Sequence, residues 1–311
     1  MTSSSSQPPV RATSTPESPH QALYENVRDA LLSLPLYFRT ETVIQGISAV
    51  EIFTLSAALG ATIENQVVAT LNQMRQVWDP KGRYLQYSFV RQSQTFPDVL
   101  LRRSGEIAGE EATLMGIELK GWYLLAKEAE PSFRFAVTPQ ACAPQDLIVV
   151  VPWALMNVIS GSPTVFPPFI ENARYAAEYR NYHWQYLREA KGNNAISLAA
   201  NVNPYPRKSD AIADRPAADS GGNFGRFART GLMDEYLAQA KQELLAGIRA
   251  EHWLNFFKLF QDQRGARQST LRSRNSVESS ARPRPKPIQK RPPPWRSSPL
   301  WNECWTEAVA G

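Results

Sequence analysis

The sequence predicts an α/β domain, a central mixed β-sheet flanked by helices with further helices toward the C-terminal end. Three observations predict it. Helical periodicity comes first, a series of strand-like segments follows, and helix returns after them. An apolar stripe, Ile63, Val67, Leu71 and Met74, recurs at helical spacing. A continuous apolar run, Leu147 to Val151, reads as a strand. In chain order, Gln21 to Leu34 reads as a first helix and about Ser48 to Trp78 as a longer one, stopped by the turn Asp79-Pro80-Lys81-Gly82. Strands are expected at Tyr84–Val90, Asp98–Arg102, Thr113–Lys120, Phe133–Val137 and Leu147–Val151. The Gly/Glu-rich stretch Ser104–Glu111, with Gly105 and Gly109, fits a hairpin loop. A third helix is expected over Ile170–Ala190, a polar Gly/Pro-punctuated stretch over Asn193–Gly222 with a mobile loop at Tyr205–Asp219, and closing helix over Leu232–Phe260.

The chain has 311 residues, 43% apolar and 20% charged, which excludes wholesale disorder and a coiled coil. The run Leu147 to Ile159 is interrupted by Pro152 and Asn157 and is too short to cross a bilayer, so no membrane association is expected. Two cysteines, Cys142 and Cys304, cannot build a disulfide framework, and Met1–Pro19 carries no apolar signal region. A cytoplasmic protein is expected. The net charge of +5 is concentrated in the tail: residues 264–311 carry ten basic and three acidic groups. The remaining residues are therefore slightly acidic, and any nucleic-acid contact there must come from local clusters. Three regions are expected: a disordered segment 1–19, a compact domain 20–263, and a disordered Pro/Arg-rich basic tail 264–311. Trp295, Trp301 and Trp305 are the apolar exceptions in that tail.

One constellation carries chemistry: Phe96-Pro97-Asp98 and, after nineteen intervening residues, Glu118-Leu119-Lys120. In a strand, Glu118 and Lys120 share one face while Ile117 and Leu119 pack on the other. If the two strands form a hairpin, Asp98, Glu118 and Lys120 converge at one end of the sheet. Paired carboxylates are hard oxygen ligands suited to Mg²⁺. A nearby ammonium offsets the charge of a phosphate under attack. An acidic-x-Lys triplet alone is uninformative, since Asp79-Pro80-Lys81 and Glu189-Ala190-Lys191 match it too. Only the middle triplet lies in an apolar strand, one strand after the chain's sole Pro-Asp pair. The alternative is a same-face ion pair between Glu118 and Lys120 on an exposed strand. No phosphate-binding glycine loop or metal-spaced Cys/His cluster competes, and the histidines are His20, His183 and His252.

Pro97-Asp98, Glu118-Leu119-Lys120, the long helix before them and the strand and helix after them resemble the PD-(D/E)xK nuclease superfamily, specifically type II restriction endonucleases. The resemblance covers about Val50 to Ala190, and Asp146–Trp153, Tyr175–Trp184 and Asn223–Tyr236 look like stretches of bacterial restriction-type proteins. It implies a restriction-endonuclease-like core, Mg²⁺ dependence and double-stranded DNA as substrate. By motif match, Asp98 and Glu118 correspond to the metal-binding acids and Lys120 to the catalytic lysine. Members of this superfamily also place a glutamate in the preceding helix near the metal, which makes Glu64 a further candidate ligand; otherwise it is a solvated flank of the apolar stripe. A homodimer is expected on a symmetric DNA site, with a cognate DNA methyltransferase as functional companion.

DNA contacts need Lys or Arg for phosphates and Arg, Asn or Gln for base edges. Arg102 and Arg103 follow the Asp98 strand and are expected beside the metal site. Asn223, Arg226 and Arg229 lie in a glycine-punctuated segment suited to a phosphate or a groove. Arg174, Arg180 and Arg188 share the third helix with a tyrosine stripe that reads more simply as packing. Two rival readings remain: a repair or junction nuclease of the same fold, and a non-catalytic nucleic-acid-binding protein.

Overall fold

The computed structural model describes residues 7–11, 20–92, 94–105, 111–189 and 192–260. The chain divides into two units, Met1–Asp262 and Gln263–Gly311. The second, with the basic tail and its tryptophans, lies outside the described residues, as does most of segment 1–19.

The first unit is a mixed α/β structure. Helices α1 (Gln21–Leu32), α2 (Leu34–Tyr37), α3 (Leu55–Gln73) and α4 (Arg75–Trp78) precede the sheet. A 3-10 turn at Ile52–Thr54 replaces the expected first turns of the long helix, and the helix breaks at Met74. The stripe Ile63, Val67, Leu71 and Met74 is buried. Residues Ile52–Gln73 have the length and composition of a membrane span. That apolar stripe nevertheless lies against the sheet, and Glu64 on the same helix is ion-paired, as in the core helix of a globular domain.

The sheet runs β1 (Tyr87–Arg91), β2 (Val99–Arg103), β3 (Thr113–Tyr123), β4 (Leu147–Leu155), β5 (Pro163–Val165), with β6 (Phe169–Asn172) also on β4. Strands β1, β2 and β3 are an antiparallel meander, and β3 pairs parallel with β4. A parallel pair needs a long crossover, supplied by residues 124–146. Every residue of β4 is buried. Pro152 is tolerated in this central strand because β6 pairs with Leu147–Val150 and β5 with Trp153–Leu155, so its missing N–H falls between them.

Three expected elements differ. Phe133–Val137 is not a strand: its backbone meets loops, in isolated bridges Arg134↔Arg226 and Val137↔Ala213, while Phe133 and Phe135 pack on Phe227. The third helix begins at Ala173, as α5 (Ala173–Tyr182) continued by a π-helical turn over His183–Leu187, because Phe169–Asn172 pairs with β4 and Asn172 then caps the helix, accepting from the Tyr175 N–H at 3.0 Å. The expected closing helix is interrupted: α6 (Asp234–Ala240) is followed by a hairpin, Leu244–Leu245 with Ile248–Arg249, before helix over 250–260.

One glycine in β3 is demanded by packing. A Cβ on Gly116 would lie 2.2 Å from Pro97 Cγ and 3.1 Å from Asp146 Oδ1. Its absence leaves room for Pro97, which leads into Asp98.

Candidate active site

The site forms where β2 stops. Its first residue, Val99, pairs with Ile117. From Glu118 onward β3 has a strand partner only on its β4 side among the described residues. A strand edge presents N–H groups that must be satisfied, and here carboxylates do so. The Leu119 N–H donates to Asp98 Oδ2 at 3.2 Å and the Gly121 N–H to Glu64 Oε1 at 3.1 Å. The Asp98 N–H donates to Glu118 Oε2 at 3.3 Å, so the ladder is continued by side chains for one further step.

The structure therefore brings Asp98 and Glu118 together, as the hairpin geometry requires, with Ile117 and Leu119 buried on the opposite face. Glu64 joins them by packing of α3 on β3. Lys120 Nζ lies 3.3 Å from Glu64 Oε1, and Arg91 Nη2 lies 3.2 Å from Glu64 Oε2. Both cations thus converge on Glu64.

The electrostatics follow from this division. Burial, then the charge of Asp98, pushes the Glu118 carboxyl up to about 8, against the pull of the Asp98 N–H. Burial also raises Asp98; the Leu119 N–H opposes the rise and the charge of Glu64 adds to it. Two adjacent carboxylates that resist ionising together mark a place short of positive charge. Among the described residues no donor reaches Asp98 Oδ1 or Glu118 Oε1. These are hard oxygen donors, and they fit a divalent cation. No group of three His, Cys, Asp or Glu side chains arranged to hold a metal occurs among the described residues. Mg²⁺ does not require one, since it is commonly bound through one or two carboxylates, water and substrate phosphate.

The pair opens into a cleft of ≈ 340 Å³. Its walls are Thr95–Phe96 before Asp98, Val137, and a strap that includes Arg207, Lys208 and Asp210. The strap, expected only as a loop, is pinned at several points. Pro206 is buried. The Tyr205 hydroxyl donates to Asp146 Oδ1 at 3.3 Å, and the Thr138 N–H donates to the Ile212 carbonyl at 2.8 Å. Asp214 is fixed by the buried Arg180 guanidinium at 2.7 Å.

No family model matches the chain, and neither curated proteins nor solved structures give a significant match. The reading of the site thus rests on its geometry.

The other expected contact residues lie elsewhere. Arg102 and Arg103 end β2 at the pole opposite Asp98, about 13 Å or more along the strand, and Arg103 is buried with Nε on the Gly105 carbonyl. Strand length separates them from the carboxylates they were expected to flank. Arg229 is paired with Glu130 at 2.7 Å and donates to Asn223 Oδ1 at 2.8 Å, and Arg226 bridges Arg134 through the backbone. Asn223, Arg226 and Arg229 do not line the cleft. The third helix uses its arginines internally: Arg174 on the Cys142 carbonyl, Arg180 on Asp214, Arg188 on Trp184.

Sequence reasoning passed over Arg91, Arg207, Lys208 and Asp146. Arg91 could have been found, because it pairs with Val99 in the antiparallel register and so must end beside Asp98. Asp146 is wholly buried, accepts from the Gly116 and Ala143 N–H groups at 2.7 Å each, and is pushed up to about 6 by burial.

Proposed function

We propose that the chain is a Mg²⁺-dependent type II restriction endonuclease that hydrolyses double-stranded DNA at a specific sequence. One observation carries the reading: Asp98 and Glu118 meet midway along β3, where its β2 partner stops, each with an unclaimed oxygen, beside a cleft. The helix α3, the antiparallel meander and the parallel β4 support a restriction-endonuclease-like core.

Asp98 and Glu118 would hold the ion, which when bound neutralises phosphate charge and makes water a stronger nucleophile at neutral pH. Asp98 and Glu118 also fix each other through the Asp98 N–H, so the donor set is organised before substrate arrives. Lys120 orients the attacking water and offsets charge on the phosphate, while Glu64 holds the lysine and Arg91 at the strand edge. The water oxygen bonds to phosphorus as the phosphorus–oxygen bond to the leaving sugar oxygen breaks; the water gives up one proton to solvent and the leaving oxygen takes one from solvent to become a hydroxyl. A homodimer gives two centres for a palindromic site, and a cognate methyltransferase protects host DNA in the cytoplasm.

The test is digestion of unmethylated plasmid or phage DNA with Mg²⁺. Discrete bands are expected, and Glu118→Ala or Lys120→Ala lowers the rate by roughly 100-fold or more. Normal cutting by both variants rejects the site.

A second reading, a non-catalytic nucleic-acid-binding protein, draws on the contact of Lys120 with Glu64 rather than with the carboxylate pair. Calorimetric titration separates the two: the nuclease reading requires Mg²⁺ or Mn²⁺ binding that Glu118→Ala removes, and the second reading requires none.

A further inference from the structure

We propose that Arg207 and Lys208 are the phosphate-holding residues of this cleft, gripping the DNA backbone next to the strand that meets Asp98 and Glu118. The inference rests on the nuclease reading for the position of the reacting phosphate, and it assigns DNA binding to a segment distinct from those the sequence favoured.

Charge distribution is the first argument. A polyanion entering the cleft faces two carboxylates on its floor, and the nearest cations on the strands, Lys120 and Arg91, are engaged by Glu64. Shared with Glu64, Lys120 serves the one phosphate under attack, and compensation for the rest of the backbone must come from another wall. Arg207 and Lys208 are exposed, line the same cleft as Asp98 and Glu118, and have no ion-pair partner among the described residues. By contrast Arg229 is spent on Glu130, Arg180 on Asp214, and Arg103 on a backbone carbonyl.

Placement is the second argument. A solvated Arg-Lys pair needs no anchoring, yet this one is held on both sides. Before it, Tyr205 reaches Asp146 and Gln145 while Pro206 is buried. After it, Asp210 Oδ2 accepts the Arg207 N–H at 2.8 Å, the Ile212 carbonyl accepts the Thr138 N–H, and Asp214 is locked to Arg180. Tyr205 adopts φ 56°, a left-handed conformation that costs a non-glycine residue energy. The anchoring hydroxyl contact compensates for it. The basic pair is thereby carried over the carboxylates on a fixed support, so that its side chains can reach phosphates with little further ordering.

Binding of a short fluorescent duplex to the full chain, followed by anisotropy across a salt series in EDTA, tests this without cleavage. Each phosphate contact contributes about 0.9 to the slope of log affinity against log salt for duplex DNA. The Arg207→Gln/Lys208→Gln variant is expected to lower that slope by about 1.8 and affinity about tenfold, and Lys208→Gln alone to lower the slope by about 0.9. Arg226→Gln/Arg229→Gln is expected to leave it unchanged. The basic tail is common to all these proteins and cancels. An unchanged slope in the strap variant overturns the proposal, as does an equal fall in both double variants. Both outcomes are read independently of cutting. Loss of cleavage in Glu118→Ala with an unchanged strap slope rejects the strap alone; a strap-specific fall in a chain that never cuts keeps phosphate binding and rejects the nuclease reading.

Discussion

Replacing Glu118 by Gln removes one charge from the carboxylate pair while leaving an oxygen to accept the Asp98 N–H, which lies 3.3 Å away. Glutamate ordinarily titrates near 4.3, and here burial and Asp98 lift it to about 8. The folded protein therefore holds more protons than the unfolded chain between those limits, and its stability falls as pH rises through the window. At one pKa unit per ~1.4 kcal/mol the full cost would be about 5 kcal/mol. Partial solvent access at Glu118 and sharing of the proton with Asp98 reduce it to about 2 kcal/mol. A domain of this size shifts by about 2–4 °C per kcal/mol, so Glu118→Gln should melt roughly 5 °C above the parent at pH 8 and level with it near pH 4. Thermal melts across pH, without divalent ions, measure this. Mg²⁺ should raise the parent's melting temperature at pH 8, because it binds the ionised pair, and should leave Glu118→Gln unmoved. Superimposable profiles for the two proteins, or parent stability that rises through the window, would refute the charge-deficit argument.

Further expectations concern the support of the site. Gly116→Ala puts a methyl into Pro97 and should cost about 1–3 kcal/mol in denaturant melts while impairing metal binding, since Pro97 leads into Asp98. Asp214→Ala leaves the Arg180 guanidinium buried without its charge partner and should destabilise by about 3–5 kcal/mol, read from the urea midpoint. Tyr205→Phe removes the hydroxyl contacts to Asp146 and Gln145. At about 1 kcal/mol, it should speed tryptic cutting after Arg207 and Lys208 several-fold while the melting temperature changes little; an unchanged digestion pattern would mean that these contacts do not pin the strap.

Local periodicity carried most of the sheet. The stripe on α3, the alternation in β3 and the unbroken run of β4 each encode burial within a few residues of chain, and Asp98, Glu118 and Lys120 could be brought together from one hairpin. What escaped depends on distant partners. Phe169–Asn172 has the composition of a helix start and becomes a strand only because β4 offers an edge. Phe133–Val137 alternates like a strand, but loops rather than strands lie beside it. The strap reads as a polar loop until Tyr205 meets Asp146, 59 residues away, and the contact of Lys120 with Glu64 spans 56 residues. Arginine-rich segments misled for the same reason: composition counts cations, and only the folded chain tells which of them are already paired.

The decisive measurement is an anomalous difference map from crystals of the full chain soaked in Mn²⁺. A peak within coordination distance of both Asp98 Oδ1 and Glu118 Oε1, absent in Glu118→Ala, is the expected result. Ordered carboxylates with no peak between them at saturating metal would contradict a divalent-ion site where β2 stops beside β3, and with it the hydrolysis of DNA there.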